Sequence, residues 1–309
     1  MLSRTAENLF WMARYIERAE ATARLLTMGQ RMAVLPGSAY LDEWRSVLRV
    51  TGCEGYLDHD GPVTEADIVR ILLLDPAIPS SIQSCLVRAR ANAKSVRTAL
   101  TQDMWEALNL SWRRLEGCRA DEAVRELAAL VDWVKTRAAI FRGAVETGLL
   151  RNTGYDFIRI GGGLERAQMT LRLLEVKYYV LLPETEVVGG GRDHYQWTSV
   201  LHALSGSRAY HHVYGGVHTP WQITDFLMIN RIFPRSVAFC ADQMGWHLGL
   251  LAREHGGPAA CQTTLGEISA MLDQGRDGAL FQRGLHESVQ QCLTLTNRLA
   301  CEIAEAYHF

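Results

Sequence analysis

The chain has 309 residues, 48% of them apolar, enough to bury a substantial core in one large domain or two of ordinary size. Its 32 lysines and arginines nearly balance 34 aspartates and glutamates, which gives no charge-driven reason to bind nucleic acid or an anionic membrane. The seven cysteines (Cys53, Cys85, Cys118, Cys240, Cys261, Cys292 and Cys301) are odd in number, scattered and never in Cys-x-x-Cys spacing. That pattern suits reduced thiols in a cytoplasmic protein better than a disulfide framework or a zinc ribbon.

The opening stretch, MLSRTAENLFWMARYIERAE, has charges interrupting each apolar run, so it reads as neither a signal peptide nor a membrane span. Ser3 to Met28 reads as one helix, with Leu9, Met12, Tyr15, Ile16, Leu25 and Leu26 pointing in most directions and therefore largely buried. Arg14, Glu17 and Arg18 fall at i, i+3 and i+4 on one side of it. A buried ion is costly unless paired, so charges kept there point to a structural ion pair or to a ligand or catalytic role; the plain alternative is a solvated face.

Further along, TEAD (Thr64 to Asp67) carries a capping-box pattern, and loops are expected at VLPGSAY, EGYLDHDGP, VVGGGRDH and REHGGPAA. No proline occurs between Ser80 and Leu182, and DEAVRELAALVDWVKTRAAIFRGAVETGLL spaces its apolar residues at three and four, so long helices are expected. No convincing period-two run marks a strand. Gly161 to Gly163 lack the spacing of a dinucleotide fingerprint or a Walker A loop and read as helical glycines that admit a close neighbour. Gly189 to Gly191 read as a connector. The histidines between His194 and His218, including His202, His211 and His212, lack the spacing of a metal site. PRSV (Pro234 to Val237) reads as a helix start that places Arg235 at the positive end of the dipole, where an anionic ligand or an internal carboxylate would relieve it. TLGE (Thr264 to Glu267) is a second capping-box pattern. Trp11, Trp44, Trp105, Trp112 and Trp197 are expected to fill the core.

Three stretches recur in order. ERAEATARLL (Glu17 to Leu26) returns as ERAQMTLRLL (Glu165 to Leu174) with seven of ten positions identical; EWRSVL returns as QWTSVL, and LLLDPAIPSSI as LMINRIFPRSV. Their offsets of 148, 153 and 155 residues argue for two diverged copies, residues 1–150 and 151–309, and with the helical periodicity for an all-α bundle, expected as one integrated pseudo-twofold domain or else as two similar bundles face to face. The copies are far longer than the ~20–50 residues of a solenoid repeat. Within the decapeptide Glu-Arg-Ala and Arg-Leu-Leu survive in both places, whereas Glu20 has become Gln168 and Arg14 has become Gly162.

LSRTAENLFWMARYIERAEATARLL, FIRIGGGLERAQMTLRLL, WTSVLHALSGSRAYHHVYGG and FPRSVAF together resemble the bacterial alpha-E family, from Leu2 to at least Phe239. The resemblance implies a cytoplasmic helical protein that accompanies, or is fused to, a circularly permuted ATP-grasp ligase, often with a transglutaminase-like protein nearby. It also implies a part in forming or modifying a peptide or amide bond, with the family's glutamates falling on Glu17 and Glu165. The chain departs from the family at Gly162, where an arginine is usual, and at Ala91, where a glutamate is usual.

The expected site is therefore a polar pocket between the halves. Glu17 and Glu165 are its candidate catalytic residues, orienting an amine or taking its proton; Arg14, Arg18, Arg166 and Arg235 would hold an anionic peptide or amino-acid substrate. No cofactor is expected on this chain, and ATP with magnesium is expected on the partner ligase. The alternatives are a structural or regulatory subunit without chemistry of its own, and a metal-dependent enzyme.

Overall fold

The computed structural model describes residues 3–33, 40–179, 191–255, 259–275 and 284–309. Regular structure among them is helical, with no strand. The first part of the chain forms α1 (Ser3–Ala33), α2 (Tyr40–Val50), α3 (Glu65–Ile68), α4 (Ile82–Ser95), α5 (Gln102–Glu116), α6 (Ala120–Arg125) and α7 (Leu127–Gly148). The second forms α8 (Thr153–Tyr179), α9 (Gly191–Ala203), α10 (Ser207–Tyr214), α11 (Pro220–Met228), α12 (Val237–His255), α13 (Ala259–Gln274) and α14 (Leu285–Ala306). A π-helical turn at Val69–Leu74 continues α3.

The two longest helices lie in the middle of the bundle. α1, with 31 residues and hence roughly 46 Å long, packs against α4, α7, α8 and α9; α8 packs against α1, α2, α12 and α14. α5 then bridges α4 and α7, while α13 bridges α12 and α14. The composition of α1 explains its place: Leu9, Met12, Leu25, Leu26 and Met28 are all fully buried, and each apolar side chain removed from water contributes on the order of 1.5–3 kcal/mol. The helix runs beyond Met28 because Gly29 does not stop it; the bare Cα of Gly29 instead admits the Trp44 ring.

In α8 the three glycines sit in mid-helix. A Cβ on Gly161 would fall inside the contact radius of the Phe10 carbonyl oxygen, and one on Gly163 would lie 3.1 Å from Met244 Cγ. Gly161 thus lets the α8 backbone lie directly against that of α1 at Phe10.

Local signals fare unequally. At Thr64 the capping box forms, with Thr64 and Asp67 exchanging side-chain to backbone hydrogen bonds. At Thr264 it does not: Thr264 lies inside α13, and its hydroxyl donates to Glu302 at 2.8 Å while accepting from Arg298 at 2.9 Å, so tertiary partners replace the helix N-terminus. The PRSV helix begins at Val237, with Ser236 Oγ accepting from Phe239 N at 3.0 Å; Pro234 and Arg235 precede the cap and are not in the first turn. EGYLDHDGP is a loop that begins with a short 3-10 turn, Glu54–Tyr56. Of the other expected loops, residues 34–39, 187–190 and 256–258 lie outside the described residues, and with them most of the Gly189 to Gly191 connector; Gly191 itself opens α9.

Trp44 and Trp197 fill the core as expected, whereas Trp11, Trp105 and Trp112 are half-buried and carry guanidinium groups on their rings. All seven cysteines are free thiols. No described helix is long and apolar enough to cross a membrane.

Candidate functional site

The α1–α8 crossing brings the two charged decapeptides face to face. Arg18 grips Glu165 with both edges of its fork, Nε to Oε1 at 2.6 Å and Nη2 to Oε2 at 2.9 Å. Arg166 grips Glu17 in the same manner, Nε to Oε2 at 3.3 Å and Nη2 to Oε1. The glutamate of each motif is therefore held by the arginine of the other, in the bidentate geometry that makes such pairs strong.

A third guanidinium completes each side. Arg14 donates from Nε to Glu165 Oε2 at 2.8 Å and from Nη2 to Gln168 Oε1 at 3.1 Å. On the Glu17 side the equivalent position is Gly162, and Arg142 arrives from α7 instead, donating to Glu17 Oε1 at 3.2 Å and to Glu20 Oε2. Glu20 also accepts from Arg24, one helical turn on, and from Arg235 Nη2, each at 2.6 Å.

Glu17, Glu20 and Glu165 are all buried. Burial alone would raise their pKa values, but the surrounding arginines outweigh it: Arg18 and Arg14 bring Glu165 down to about 2, Arg166 and Arg142 lower Glu17, and Arg235, Arg142 and Arg24 lower Glu20. Burial likewise works against the cations, yet Glu165 raises Arg18, and Glu17 raises Arg166 and, with Glu20, Arg142. Arg235 differs. Burial, helped by Arg24 and Arg166, outweighs Glu20 there and lowers it to about 10, still cationic at neutral pH.

Two chemical consequences follow. A carboxylate held at about 2, with both oxygens occupied by guanidinium groups, is a weak proton acceptor at neutral pH, so Glu165 is better suited to orienting charge than to removing a proton. Moreover, six guanidiniums (Arg14, Arg18, Arg24, Arg142, Arg166 and Arg235) surround three carboxylates (Glu17, Glu20 and Glu165), leaving an excess of positive charge in the interior.

Cavities open on both sides of the crossing. One, of about 190 Å³, is lined by Arg14, Arg18, Glu165, Gln168, Arg172 and Asn297 among others. The other, of about 40 Å³, places Glu17, Arg142 and Arg166 beside an apolar wall that includes Phe141 and Ile158. Of the residues expected from sequence, Arg14, Arg18, Glu17, Glu165 and Arg166 thus come together at the crossing and line these cavities. Arg235 joins the network through Glu20 but lines neither cavity.

Glu20, Arg24, Arg142 and Arg172 were not among the expected site residues. For Arg24 and Arg172 the signal was present in the repeated Arg-Leu-Leu: Arg24 Nη1 donates to Ala203 O at 2.5 Å, and Arg172 Nη1 to Val50 O at 2.6 Å. Arg142 carried no such signal, because it lies outside every repeated stretch.

The histidines form a separate, open cavity of about 550 Å³ with His202, His211, His212 and His218 around Arg208. Their ligand atoms do not converge; among the described residues the group of three that does converge is Asp58 and His59, on the exposed loop before α3, with Asp67 in the first turn of α3.

An uncharacterized protein of Mycobacterium bovis and two of Mycobacterium tuberculosis strains are similar to this chain, each 26% identical over 193 residues. The match covers 56% of this chain but only 22% of each relative, so the chain spans about a fifth of the length of the curated relatives it matches. No solved structure matches. A family model described as a predicted alpha-helical domain with a conserved ER motif matches residues 1–308, and the fold and the paired Glu-Arg groups accord with that description. The chain belongs to the Alpha-E family.

Proposed function

We propose that this chain is the helical, substrate-holding component of an ATP-grasp-linked system that forms or modifies a peptide or amide bond in the cytoplasm. Activation by ATP and magnesium takes place on the ATP-grasp partner, with a transglutaminase-like protein as a further associate. The pocket between the two halves receives an anionic group of the substrate, and the glutamates fix the arginines that hold it. The observation that carries this reading is the excess of guanidinium over carboxylate groups around the α1–α8 cavities, a distribution that an incoming anion would complete. The match to about a fifth of much longer relatives adds support, since there the unit is covalently joined to other segments.

The same reading takes the chain as two diverged copies, residues 1–150 and 151–309. Matched contacts support it. Arg18 to Glu165 mirrors Arg166 to Glu17, and Arg24 to Ala203 O mirrors Arg172 to Val50 O. Thr22 to Ser80 O mirrors Thr170 to Arg235 O, and the Ser81 cap mirrors that of Ser236.

A second reading, a structural subunit without chemistry, is favoured by the complete clamping of both motif glutamates. The two readings separate in one experiment: co-purify the chain with the proposed ATP-grasp partner and measure ATP-dependent amide formation with Glu17→Gln, Glu165→Gln and Arg18→Met. Loss of product from variants that remain folded supports the substrate-holding role. Unchanged product formation with a lowered melting temperature leaves only the structural one.

A further inference from the structure

Arg172 is the one cation lining the two α1–α8 cavities that no carboxylate reaches among the described residues; its guanidinium donates only to the Val50 carbonyl. The reason is a single difference between the central helices. In α1, Glu20 lies four residues before Arg24 and pairs with it at 2.6 Å. In α8, Gln168 lies four residues before Arg172, and a neutral amide cannot compensate that charge. Gln168 turns elsewhere, accepting from Arg14 and donating from Nε2 to Asn297 Oδ1 at 2.9 Å.

The cavity of about 190 Å³ consequently has three guanidiniums, Arg14, Arg18 and Arg172, and one carboxylate, Glu165, on its walls. Its two excess positive charges sit against a largely buried surface, where an uncompensated ion is costly. Glu165 occupies Nε of both Arg14 and Arg18 and Nη2 of Arg18, while Gln168 occupies Nη2 of Arg14, so Nη1 of Arg14 and Nη1 of Arg18 are left without a protein acceptor among the described residues, whereas Nη1 of Arg172 is taken by the Val50 carbonyl. Asn297, whose Oδ1 is engaged by Gln168, has its amide group as a further donor on the wall. The volume is more than ten times the ~10–15 Å³ that admits one water.

We propose that this cavity binds a dianionic phosphate group, as free phosphate or a phosphate monoester, between Arg172 on one side and Arg14 and Arg18 on the other, with Glu165 as the residue that positions the latter two. A dianion matches the two excess charges, and its tetrahedral oxygens can address three separately rooted guanidiniums; a single carboxylate would neutralise only one charge. The inference rests on the pocket between the halves being a ligand site and adds the ligand's chemistry and the side on which it binds.

Titrating inorganic phosphate calorimetrically into the full chain, in a buffer free of other oxyanions and at low ionic strength, tests it. One phosphate per chain is expected, with acetate at least ten-fold weaker. Arg172→Met should weaken phosphate by about ten-fold or more, the loss of a charge-assisted contact. Gln168→Glu, which restores the missing carboxylate without changing side-chain size, should do the same while the unliganded melting temperature holds or rises. A phosphate monoester such as glycerol phosphate distinguishes the sources: tighter binding than inorganic phosphate assigns the site to a phosphorylated substrate, and equal or weaker binding to free phosphate. No heat at millimolar phosphate, equal affinity for acetate, or undiminished binding by both variants would overturn the proposal. If phosphate fails to bind while Arg18→Met still abolishes amide formation with the partner, the phosphate assignment falls and the substrate-holding role stands. If phosphate binds as expected and neither Arg172→Met nor Gln168→Glu alters amide formation, the opposite holds.

Discussion

Arg142 of α7 reaches Glu17 of α1 at 3.2 Å and thereby supplies, at this carboxylate, the second guanidinium that Arg14 supplies at Glu165. The arginine absent at Gly162 has been replaced in space from a different helix. Arg142→Met should therefore destabilise the protein by roughly 2–4 kcal/mol, somewhat less than the ~3–5 kcal/mol of a fully buried pair, because Arg142 is partly exposed and Arg166 still holds Glu17. Adding Gly162→Arg to that variant should recover part of the loss, since a Cβ at Gly162 meets only the Glu17 side chain, Cγ at 3.7 Å and Oε1 at 4.0 Å. Urea unfolding of the single and double variants measures both, and no recovery would refute the substitution in space.

Acid stability should depend on Glu165. From an ordinary value of 4.5, its carboxyl is brought to about 2 in the folded protein, so its contribution is fully present above about pH 4.5 and is lost as the pH falls from there through about 2. The lost contribution amounts to roughly 3 kcal/mol. Glu165→Gln should be less stable than the wild type at pH 7, and the difference should shrink toward pH 2. A constant difference across that range would mean that the carboxylate charge is not what Arg14 and Arg18 recognise.

Adjacent glycines should respond oppositely to alanine. Gly161→Ala drives a methyl group into the Phe10 carbonyl and is expected to cost about 1–3 kcal/mol or more as the two helices move apart. Gly162→Ala meets ordinary van der Waals contact and should be neutral or stabilising by up to ~1 kcal/mol through helix propensity. Thermal melts of the pair provide the comparison.

Thiol reactivity should separate the cysteines sharply. Burial pushes Cys85 up to about 12 and Cys240 up to about 11, so neither yields thiolate near neutral pH. Cys301 is exposed. Iodoacetamide at pH 8 should modify Cys301 first and spare Cys85 and Cys240 until the protein is unfolded, which peptide mass spectrometry reads directly.

The helical class and the buried first helix were legible because period and composition act locally. So was the meeting of Glu17/Arg18 with Glu165/Arg166, since one repeated charged motif on two buried helices needs mutual compensation. Arg142 and Arg235 were harder to assign. Their partners lie 122 to 215 residues away, and which carboxylate each reaches depends on where α7 and the segment before α12 come to rest against α1. Thr264 misled for a related reason: the capping-box pattern was present, but Glu302 and Arg298 of α14 claimed its hydroxyl. The contrast between Glu20 and Gln168 was visible as a substitution, yet its meaning for Arg172 emerged only once the cavity beside it was in view.

The backbone contact at Gly161 has a consequence for recognition. With no side chain between Phe10 and Gly161, the separation of α1 and α8 at their crossing is dictated by main-chain atoms, which yield far less than packed side chains. The forks of Arg14 and Arg18 are consequently preorganised: much of their rotamer freedom is surrendered when the chain folds, through Glu165 and the Trp11 and Tyr15 rings beneath them. A ligand entering beside them meets donors already aimed, and its affinity is spared the entropy of ordering two long side chains.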